Sequence, residues 1–378
     1  MPHQFLQHGS IIFQFSARGN IQRECDRLPE WRTKARIPFS QNQEAAMPTK
    51  VLLTGADGFI GSHILEHLLS HTDWHLVCPC SWRRQGDPRR IREVVAGHDP
   101  RRAHIFTHDL RAPFSAGDIR EMGEIEHIVN CASASHVTTS IAEPASFIRN
   151  NVDLAITMME LARILKPRKV VQISTDEVYG AAGEGQSFSE WSATCPSNPY
   201  SASKAAQEAI AMSYWRTYDI PLTITNTVNN FGERQDPEKF VAKVIRHVHR
   251  REEIPIHAYG GVPCKRFYLY ARNHADAVMH ILQRVDNVPC TGHNLPNRFN
   301  VSSRDEYDNL EMAKLVAGLM GMSLLYRIED AHIERKGHDG RYALSVEKLE
   351  GTGWTAPYGF LESMERYVKW TLENRRWL

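Results

Sequence analysis

The chain has 378 residues, of which 42% are hydrophobic and 24% are charged, proportions that are typical of a soluble globular protein. Its 45 Lys and Arg residues nearly balance 44 Asp and Glu residues, and the net charge of +1 argues against nucleic acid or an acidic membrane as partner. No apolar run approaches the roughly 20 residues of a membrane span. Seven scattered cysteines indicate reduced thiols in a compartment such as the cytoplasm, and we expect no metal site.

Residues 1–46 differ from the rest of the chain because they lack the periodicity of a helix or a strand. A second methionine, Met47, stands three residues before the first predicted strand. We therefore expect residues 1–46 to be a poorly ordered extension, or a segment that precedes the natural start.

Between positions 50 and 227, apolar runs of strand length alternate with helical segments. The predicted strands are 50–54, 74–78, 103–107, 125–131, 170–174 and 222–227, and the clearest helices are 145–165 and 201–218. This alternation predicts an α/β fold with a doubly wound parallel (Rossmann) sheet. The spacing becomes irregular after Phe231, which indicates a smaller C-terminal substrate domain over the carboxyl ends of the strands. We assign 47–230 and about 263–290 to a dinucleotide-binding domain, and 231–262 and 291–378 to the smaller substrate domain.

Gly55, Gly58 and Gly61 lie between the first predicted strand and the first predicted helix. Glycines at this place permit a tight turn, and the N–H groups of the helix N-terminus can then bind a pyrophosphate. The sequence therefore predicts a dinucleotide site that also includes Phe59 and Ile60.

The end of the second predicted strand leaves the cofactor open between NAD and NADP. An acidic residue about 20 positions after the glycines commonly binds the ribose hydroxyls of NAD, but no carboxylate follows Cys80 until Asp87. Arg83 and Arg84 could instead bind the 2′-phosphate of NADP, or they could be solvated loop arginines.

Tyr200 and Lys204 lie four residues apart on a predicted helix and therefore share one face. A positive charge on Lys204 could lower the pKa of Tyr200 and make the phenol a usable base. Thr175, Asp176 and Glu177 follow the fifth predicted strand and add a hydroxyl and two carboxyl groups. Because one carboxyl can protonate an atom while the other deprotonates another, the set predicts an enzyme that oxidises an alcohol and eliminates a group.

From Met47 to Leu378 the chain resembles the extended short-chain dehydrogenase/reductase superfamily and, within it, the dTDP-glucose 4,6-dehydratases. Several motifs in the same order carry this resemblance, and they stand at 135–141, 147–152, 174–180, 198–204, 229–239, 265–270 and 337–344. The resemblance implies conversion of a nucleotide-diphosphate hexose to its 4-keto-6-deoxy form by a hydro-lyase that uses NAD or NADP.

The resemblance implies a role for each residue of the catalytic set. Tyr200 takes the proton of the sugar 4-hydroxyl, Lys204 lowers the pKa of Tyr200 and binds the nicotinamide ribose, and Thr175 hydrogen-bonds the 4-oxygen. Glu177 then removes the C5 proton, and protonated Asp176 supplies a proton to the C6 hydroxyl, which leaves as water.

The resemblance also implies binding residues and a homodimer. Its cofactor residues are Asp109 and Leu110 beside the adenine, together with Arg83, Ala132, Tyr200, Lys204 and Asn229. Its substrate residues are Ser135, His136, Thr175, Asn229, Glu238, Lys239, Arg266, Arg335 and His338. The phosphates are assigned to Arg266 and Arg335, and the dimer interface to helices 145–165 and 201–218.

Departures from the family pattern leave the nucleotide and the hexose open. The family usually has Glu at the position of Ala134, Asp-Arg at Thr138–Thr139 and Asp-Trp at Phe267–Tyr268. A 4-epimerase or a nucleotide-uronate decarboxylase is the alternative activity, and Asp176 argues against both. A non-catalytic dinucleotide-binding scaffold is the remote alternative, which the retained Tyr–Lys pair disfavours.

Overall fold

The computed structural model describes residues 48–286, 294–330, 337 and 339–378. The predicted N-terminal extension, residues 1–46, and two predicted substrate residues, Arg335 and His338, lie outside these described residues.

A parallel sheet forms the centre of the fold, as the sequence predicts, and it has seven strands where the sequence indicates six. In chain order the strands are β1 (Lys50–Thr54), β2 (His75–Cys80), β3 (Ala103–Thr107), β4 (His127–Asn130), β5 (Lys169–Thr175), β6 (Leu222–Thr227) and β11 (Asn297–Val301). They pair in the order β11-β6-β5-β4-β1-β2-β3. All residues of β4, β5 and β6 are buried, which agrees with apolar runs in a sheet covered on both faces.

Helices cover both faces of this sheet. They are α1 (Phe59–His71), α2 (Pro88–Val95), α3 (Ala116–Met122), α5 (Pro144–Leu165), α6 (Pro199–Tyr218) and α8 (Ala271–Arg284). The short α4 (Val137–Ala142) packs against α5 and α6, and α7 (Phe240–Arg250) packs in the smaller region described next. Helix α1 packs against α8, and α5 packs against α6. The two predicted long helices are confirmed, and each begins slightly earlier because a proline fits the first helical turn, where its missing N–H needs no partner.

A smaller region with two three-stranded sheets completes the described fold. Its elements are β7 (Asn229–Phe231), β8 (Ile254–Tyr259), β9 (Val262–Pro263), β10 (Lys265–Tyr270), β12 (Glu306–Asp308), β13 (Tyr326–Asp330), α9 (Asn309–Leu319), α10 (Glu347–Glu350) and α11 (Phe360–Glu373). The strand orders are β12-β10-β7 and β13-β8-β9. A separate core that includes Phe231, Tyr268 and Tyr367 holds this region together.

One strand bears on the predicted domain boundary. The sequence assigns 291–378 to the substrate domain, whereas β11 within that stretch pairs with β6 at the edge of the large sheet. Residues 297–301 therefore belong structurally with the sheet, and the division of the remaining chain into two domains stays a proposal.

Within the residues that the structure describes, every helix is too short or too polar to cross a membrane.

Candidate active site

A cleft opens at the carboxyl ends of the parallel strands, where open α/β sheets bind their ligands. It is bordered by the turn after β1, the loop after β2, the ends of β4 and β5, and the start of α6. The predicted site residues that line it are Gly55, Gly58, Phe59, Ile60, Gly61, Arg83, Asp109, Leu110, Ala132, Ser135, His136, Thr175, Glu177, Tyr200, Lys204, Asn229, Glu238 and Lys239. Asp176 and Arg266 lie behind this lining.

The glycine turn after β1 is shaped for close approach. Gly55 has a φ of +70°, and a Cβ on Gly61 would come within 2.0 Å of the Gly55 carbonyl oxygen. The Gly58 N–H donates to that same oxygen at 2.9 Å, and α1 begins directly afterwards without a side-chain cap. The first N–H groups of α1 thus have no capping side chain at the edge of the cleft, an arrangement that fits a pyrophosphate.

The loop after β2 forms one end of the cleft. Arg83 Nη1 contacts Asp109 Oδ2 at 2.9 Å, and Arg111 contacts the same oxygen at 2.6 Å. The side chain of Arg84 lies over the ring of Phe147, with its Cζ 5.5 Å from the ring centroid. Both arginines that the sequence assigns to a 2′-phosphate or to solvent therefore have protein partners.

Asp176 and Glu177 begin a short 3₁₀ turn at the end of β5, but their surroundings differ. Asp176 is 3% exposed, and Thr175 Oγ1 donates to its Oδ1 at 3.0 Å. Burial, followed by the charge of Glu177, raises the pKa of Asp176 to about 7. Burial also raises the pKa of Glu177, while Asn198 opposes this by donating to its Oε2 at 3.1 Å. A proton is therefore held on Asp176 near neutral pH while Glu177 faces the cleft.

Tyr200 and Lys204 both line the cleft from the first turns of α6, as their spacing predicts. Lys204 Nζ donates to Ile173 O at 2.7 Å and to Gln207 Oε1 at 2.7 Å. Burial lowers the pKa of Lys204 to about 8. The pKa of Tyr200 is raised, first by burial and then by the charge of Glu177, so the expected lowering by Lys204 is wrong for the protein alone. Desolvation of the phenol is the largest influence on this pKa.

Asn198 fixes the start of α6 and also contacts Glu177. Its Oδ1 accepts the Ser201 N–H at 2.9 Å, and Ser201 Oγ accepts the Asn198 N–H at 3.1 Å, which forms a capping box. The same Asn198 side chain donates through Nδ2 to Glu177. One residue therefore sets the position of Tyr200 relative to Glu177.

Arg266 does not line the cleft as the sequence predicts for a phosphate ligand. Its Nη1 donates to Gly340 O at 2.9 Å and its Nη2 to Asp339 O at 2.6 Å. Its guanidinium also lies over the ring of Tyr342, 4.5 Å from the centroid. Because backbone carbonyls hold the guanidinium, Arg266 anchors the segment 339–342 in this structure, and its contact with phosphate stays a proposal.

The other predicted substrate residues line the cleft beside the loop after β4 and the start of α7. Lys239 Nζ donates to Ser135 O at 3.2 Å, which joins the start of α7 to the loop after β4. His136 Nδ1 accepts the Thr139 N–H at 3.3 Å and caps α4. Glu238 brings its carboxylate to the same wall. These polar side chains form a surface on which a sugar diphosphate could bind.

Three residues at the site were missed as site residues in the sequence analysis. Asn198 had a readable signal, an Asn before Pro with Ser three residues on, which is a helix N-cap pattern. Asp57 stands among the turn glycines and lines the cleft, a position that its place in the motif could have suggested. Tyr342 places its OH 3.5 Å from Glu177 Oε2, a contact between residues 165 positions apart that no local pattern predicts.

Comparison with known proteins agrees with this geometry. Residues 51–302 match the model of the NAD dependent epimerase/dehydratase family. The chain belongs to this family. It is also a member of the extended short-chain dehydrogenase/reductase superfamily, similar to dTDP-glucose 4,6-dehydratases.

Individual relatives cover most of the chain. The low-salt glycan biosynthesis protein Agl12 of Haloferax volcanii is 33% identical, over 85% of this chain and 98% of the relative. The dTDP-glucose 4,6-dehydratase of Streptomyces antibioticus is 31% identical, over 86% of this chain and 93% of the relative. The crystal structure of DesIV, a dTDP-glucose 4,6-dehydratase from Streptomyces venezuelae with NAD bound, has a TM-score of 0.77 at 30% identity and covers 87% of this chain and 98% of its own.

Proposed function

We propose that this protein is a nucleotide-sugar 4,6-dehydratase, a hydro-lyase that converts a nucleotide-diphosphate hexose to the 4-keto-6-deoxy sugar. The observation that carries the proposal is the pair Asp176 and Glu177 at the end of β5, next to Tyr200 on α6. Oxidation and reduction at C4 alone, as in an epimerase, require no second acid and base. Elimination of water across C5 and C6 requires both.

The surroundings of the two carboxyl groups match these two tasks. Glu177 lines the cleft and receives a hydrogen bond from Asn198, which favours its charged form and suits it to remove the C5 proton. Asp176 has a pKa raised to about 7, so that it holds a proton for the departing C6 hydroxyl. Burial raises the pKa of both carboxyl groups, and the hydrogen bond from Asn198 opposes this rise at Glu177. Different surroundings of two neighbouring carboxyl groups are what acid and base catalysis at one pH requires.

The residues around the first step are placed for oxidation at C4. Tyr200 and Thr175 line the same part of the cleft, and a hydrogen bond with Thr175 lowers the pKa of Tyr200 against the effect of burial. In the proposed reaction Thr175 binds the 4-oxygen while Tyr200 accepts the proton of the 4-hydroxyl. Lys204, held by Ile173 O and Gln207, lies one helical turn away and binds the nicotinamide ribose.

We propose NAD as the cofactor, held by the glycine turn, Leu110, Ala132 and Lys204. When bound, it supplies the hydride acceptor for C4 and the hydride donor for C6, and its oxidised ring adds a positive charge. The proposal is supported by the NAD-dependent family and by the NAD complex of DesIV. The glycine turn supports it independently, because a Cβ at Gly61 would collide with the backbone that shapes the pyrophosphate site.

For the substrate we propose a nucleotide-diphosphate hexose that lies between the catalytic groups and the wall formed by Ser135, His136, Glu238 and Lys239. The cation of Lys239 suits a diphosphate. The names of the relatives support dTDP-glucose as the first compound to test.

Incubation of the purified protein with dTDP-glucose and, separately, UDP-glucose tests the proposal, each with NAD and with NADP. Mass spectrometry should show loss of one water from a nucleotide sugar, together with a 4-keto signal. An epimer of unchanged mass would instead establish the epimerase, and loss of carbon dioxide from UDP-glucuronate, run in parallel, would establish the decarboxylase.

We further propose that the protein forms a homodimer through α5 and α6. These helices pack against each other, yet Ile156, Ile164 and Tyr218 remain 41%, 53% and 50% exposed on them. Light scattering of the wild type and of an Ile156→Glu/Ile164→Glu variant tests this. The wild type should have twice the mass of one chain, and the variant should dissociate.

A further inference from the structure

The strand that normally supplies a ribose-binding carboxylate ends here in buried cysteines. Cys78 and Cys80 at the end of β2 are both fully buried, and neither can offer a carboxylate oxygen. In dinucleotide sites of this fold an acidic residue near this point binds the ribose hydroxyls of NAD. The position that this residue would occupy is therefore left to another group.

Asp57 brings a carboxylate to the end of β2 from a different part of the chain. It stands in the glycine turn after β1, lines the cleft and is 6% exposed. Its Oδ2 accepts the N–H of Trp82, two residues beyond β2, at 3.1 Å. A Cβ on Gly86 would come within 2.4 Å of that same oxygen, so the loop 81–86 wraps closely around the carboxylate. The turn after β1 thus supplies the carboxylate that the end of β2 lacks.

The arginines near Asp57 already have protein partners: Arg84 lies over the ring of Phe147, and Arg90 pairs with Asp236. Arg83 already pairs with Asp109, whose carboxylate is shared with Arg111. A 2′-phosphate beside Asp57 would bring a charge of about −1.5 to −2 against its carboxylate, and like charges disfavour binding. A ribose hydroxyl, in contrast, is a donor, and a carboxylate that spends one acceptor position on Trp82 retains others.

We propose that Asp57 replaces the missing carboxylate at the end of β2: it accepts a hydrogen bond from the adenosine ribose 2′-hydroxyl and excludes a 2′-phosphate, so that the protein selects NAD over NADP. This inference rests on the dinucleotide cofactor of the proposed function and names the residue that sets its selectivity. Burial raises the pKa of Asp57, which reflects lost hydration that a ribose hydroxyl replaces.

Calorimetric titration of the protein, freed of co-purified dinucleotide, with NAD and with NADP tests this without any sugar. The wild type should bind NAD more tightly than NADP. The Asp57→Asn variant should lower the affinity for NAD by about 10-fold and reduce the ratio of NAD to NADP affinity, because a hydrogen bond to a charged acceptor is lost. Asp87→Asn is the matched control, since Asp87 starts α2 in the same loop but does not line the cleft.

A second titration uses the wild type alone, so the test does not depend on the folding of a variant. NAD that lacks the adenosine 2′-hydroxyl should bind about 10-fold more weakly than NAD. Equal binding of these two compounds would overturn the assignment of Asp57, as would a ratio of NAD to NADP affinity that Asp57→Asn leaves unchanged in a folded variant. Neither result would touch the dehydratase proposal, which the sugar assay decides independently.

Discussion

Asp176 and Glu177 are adjacent in sequence, but only Glu177 lines the cleft, whereas Asp176 is 3% exposed behind it. We propose that Glu177 removes the C5 proton and that Asp176 protonates the C6 hydroxyl, and hydrogen isotope exchange distinguishes these two steps. In deuterated water, removal of the C5 proton by Glu177 leaves deuterium at C5 even when water is not expelled.

Asp176→Asn should lower dehydration by about 10²-fold or more, the usual contribution of a general acid, and should retain C5 exchange. Glu177→Gln should lose both activities because the base is gone. Nuclear magnetic resonance of the recovered sugar measures the exchange. Glu190→Gln is the matched control, since it converts a buried carboxyl outside the cleft that accepts the Asn300 N–H. Loss of C5 exchange in Asp176→Asn would contradict the division of roles.

The pH dependence follows from the raised pKa of Asp176. Its proton is required for elimination, so kcat should fall as the pH rises through about 7. Because the pKa is raised above its unfolded value, folding favours the protonated group, and the free energy of unfolding should decrease as the pH rises from about 4 to about 7. Urea unfolding at about pH 5 and about pH 8 measures this, and Asp176→Asn should flatten the difference. An unfolding free energy of the wild type that rises over this range relative to Asp176→Asn would contradict the assignment.

At the residue scale, local spacing predicts which side chains meet in the cleft better than it predicts their pKa values and hydrogen-bond partners. Tyr200 and Lys204 meet on one face because the i, i+4 relation depends only on helix geometry. The pKa of Tyr200 and the partners of Arg266 depend instead on distant segments, such as Glu177 and residues 339–340. A sequence pattern does not specify those neighbours, so the lowered pKa of Tyr200 was wrong.

At the scale of one element, α6 connects helix formation to catalysis through its N-cap. Asn198→Ala should reduce the free energy of unfolding by about 1 kcal/mol, because the side chain no longer accepts the Ser201 N–H. It should also lower kcat, because Glu177 loses a hydrogen-bond donor and the first turn of α6, which carries Tyr200, loses its N-cap.

Ser115→Ala provides the matched comparison for the cap of α6. Ser115 forms the equivalent capping box at the start of α3 but does not line the cleft. Its replacement should reduce stability by a similar amount and leave kcat unchanged. Thermal unfolding and steady-state kinetics of the two variants are compared with those of the wild type. A kcat of Asn198→Ala equal to that of Ser115→Ala would show that Asn198 acts on stability alone.

The elements themselves are largely readable from the sequence. The sequence places β1, β3 and β6 at their observed bounds. Burial explains the apolar residues of β1 and β6, whereas β3 is a partly exposed strand at the edge of the sheet. The end of β2 was placed two residues early, since Pro79 and Cys80 do not look like strand residues although both are buried there. The strand β11 was missed because its polar residues, such as Asn297 and Arg298, find partners only in the folded state.

At the scale of the whole molecule, a buried ion pair joins the last strand of the large sheet to α6. Arg298 Nη2 on β11 contacts Glu208 Oε2 at 2.7 Å, and the two side chains are 4% and 1% exposed. Asn226 Nδ2 and the Tyr179 hydroxyl extend the network. The pair therefore connects segments about 90 positions apart.

Arg298→Met should reduce the free energy of unfolding by about 3–5 kcal/mol, because it leaves the charge of Glu208 buried without its partner. The double variant Glu208→Gln/Arg298→Met should lose less free energy of unfolding than the single variant, since no unpaired charge then remains buried. Urea denaturation measures both. Arg304→Met is the control, because Arg304 forms an ion pair with Glu350 at the surface and should contribute less than about 1 kcal/mol.

The proposed catalytic groups all lie in one short stretch of chain, from Thr175 at the end of β5 to Lys204 in α6. The walls around them come from other segments, such as the loop that holds Asp57 and the start of α7 at Lys239. Substitutions in those walls therefore change the shape and charge of the cleft without changing residues 175–204. Loop exchange at the walls is thus the route by which evolution or design would alter the proposed sugar or nucleotide while the proposed catalytic groups are kept.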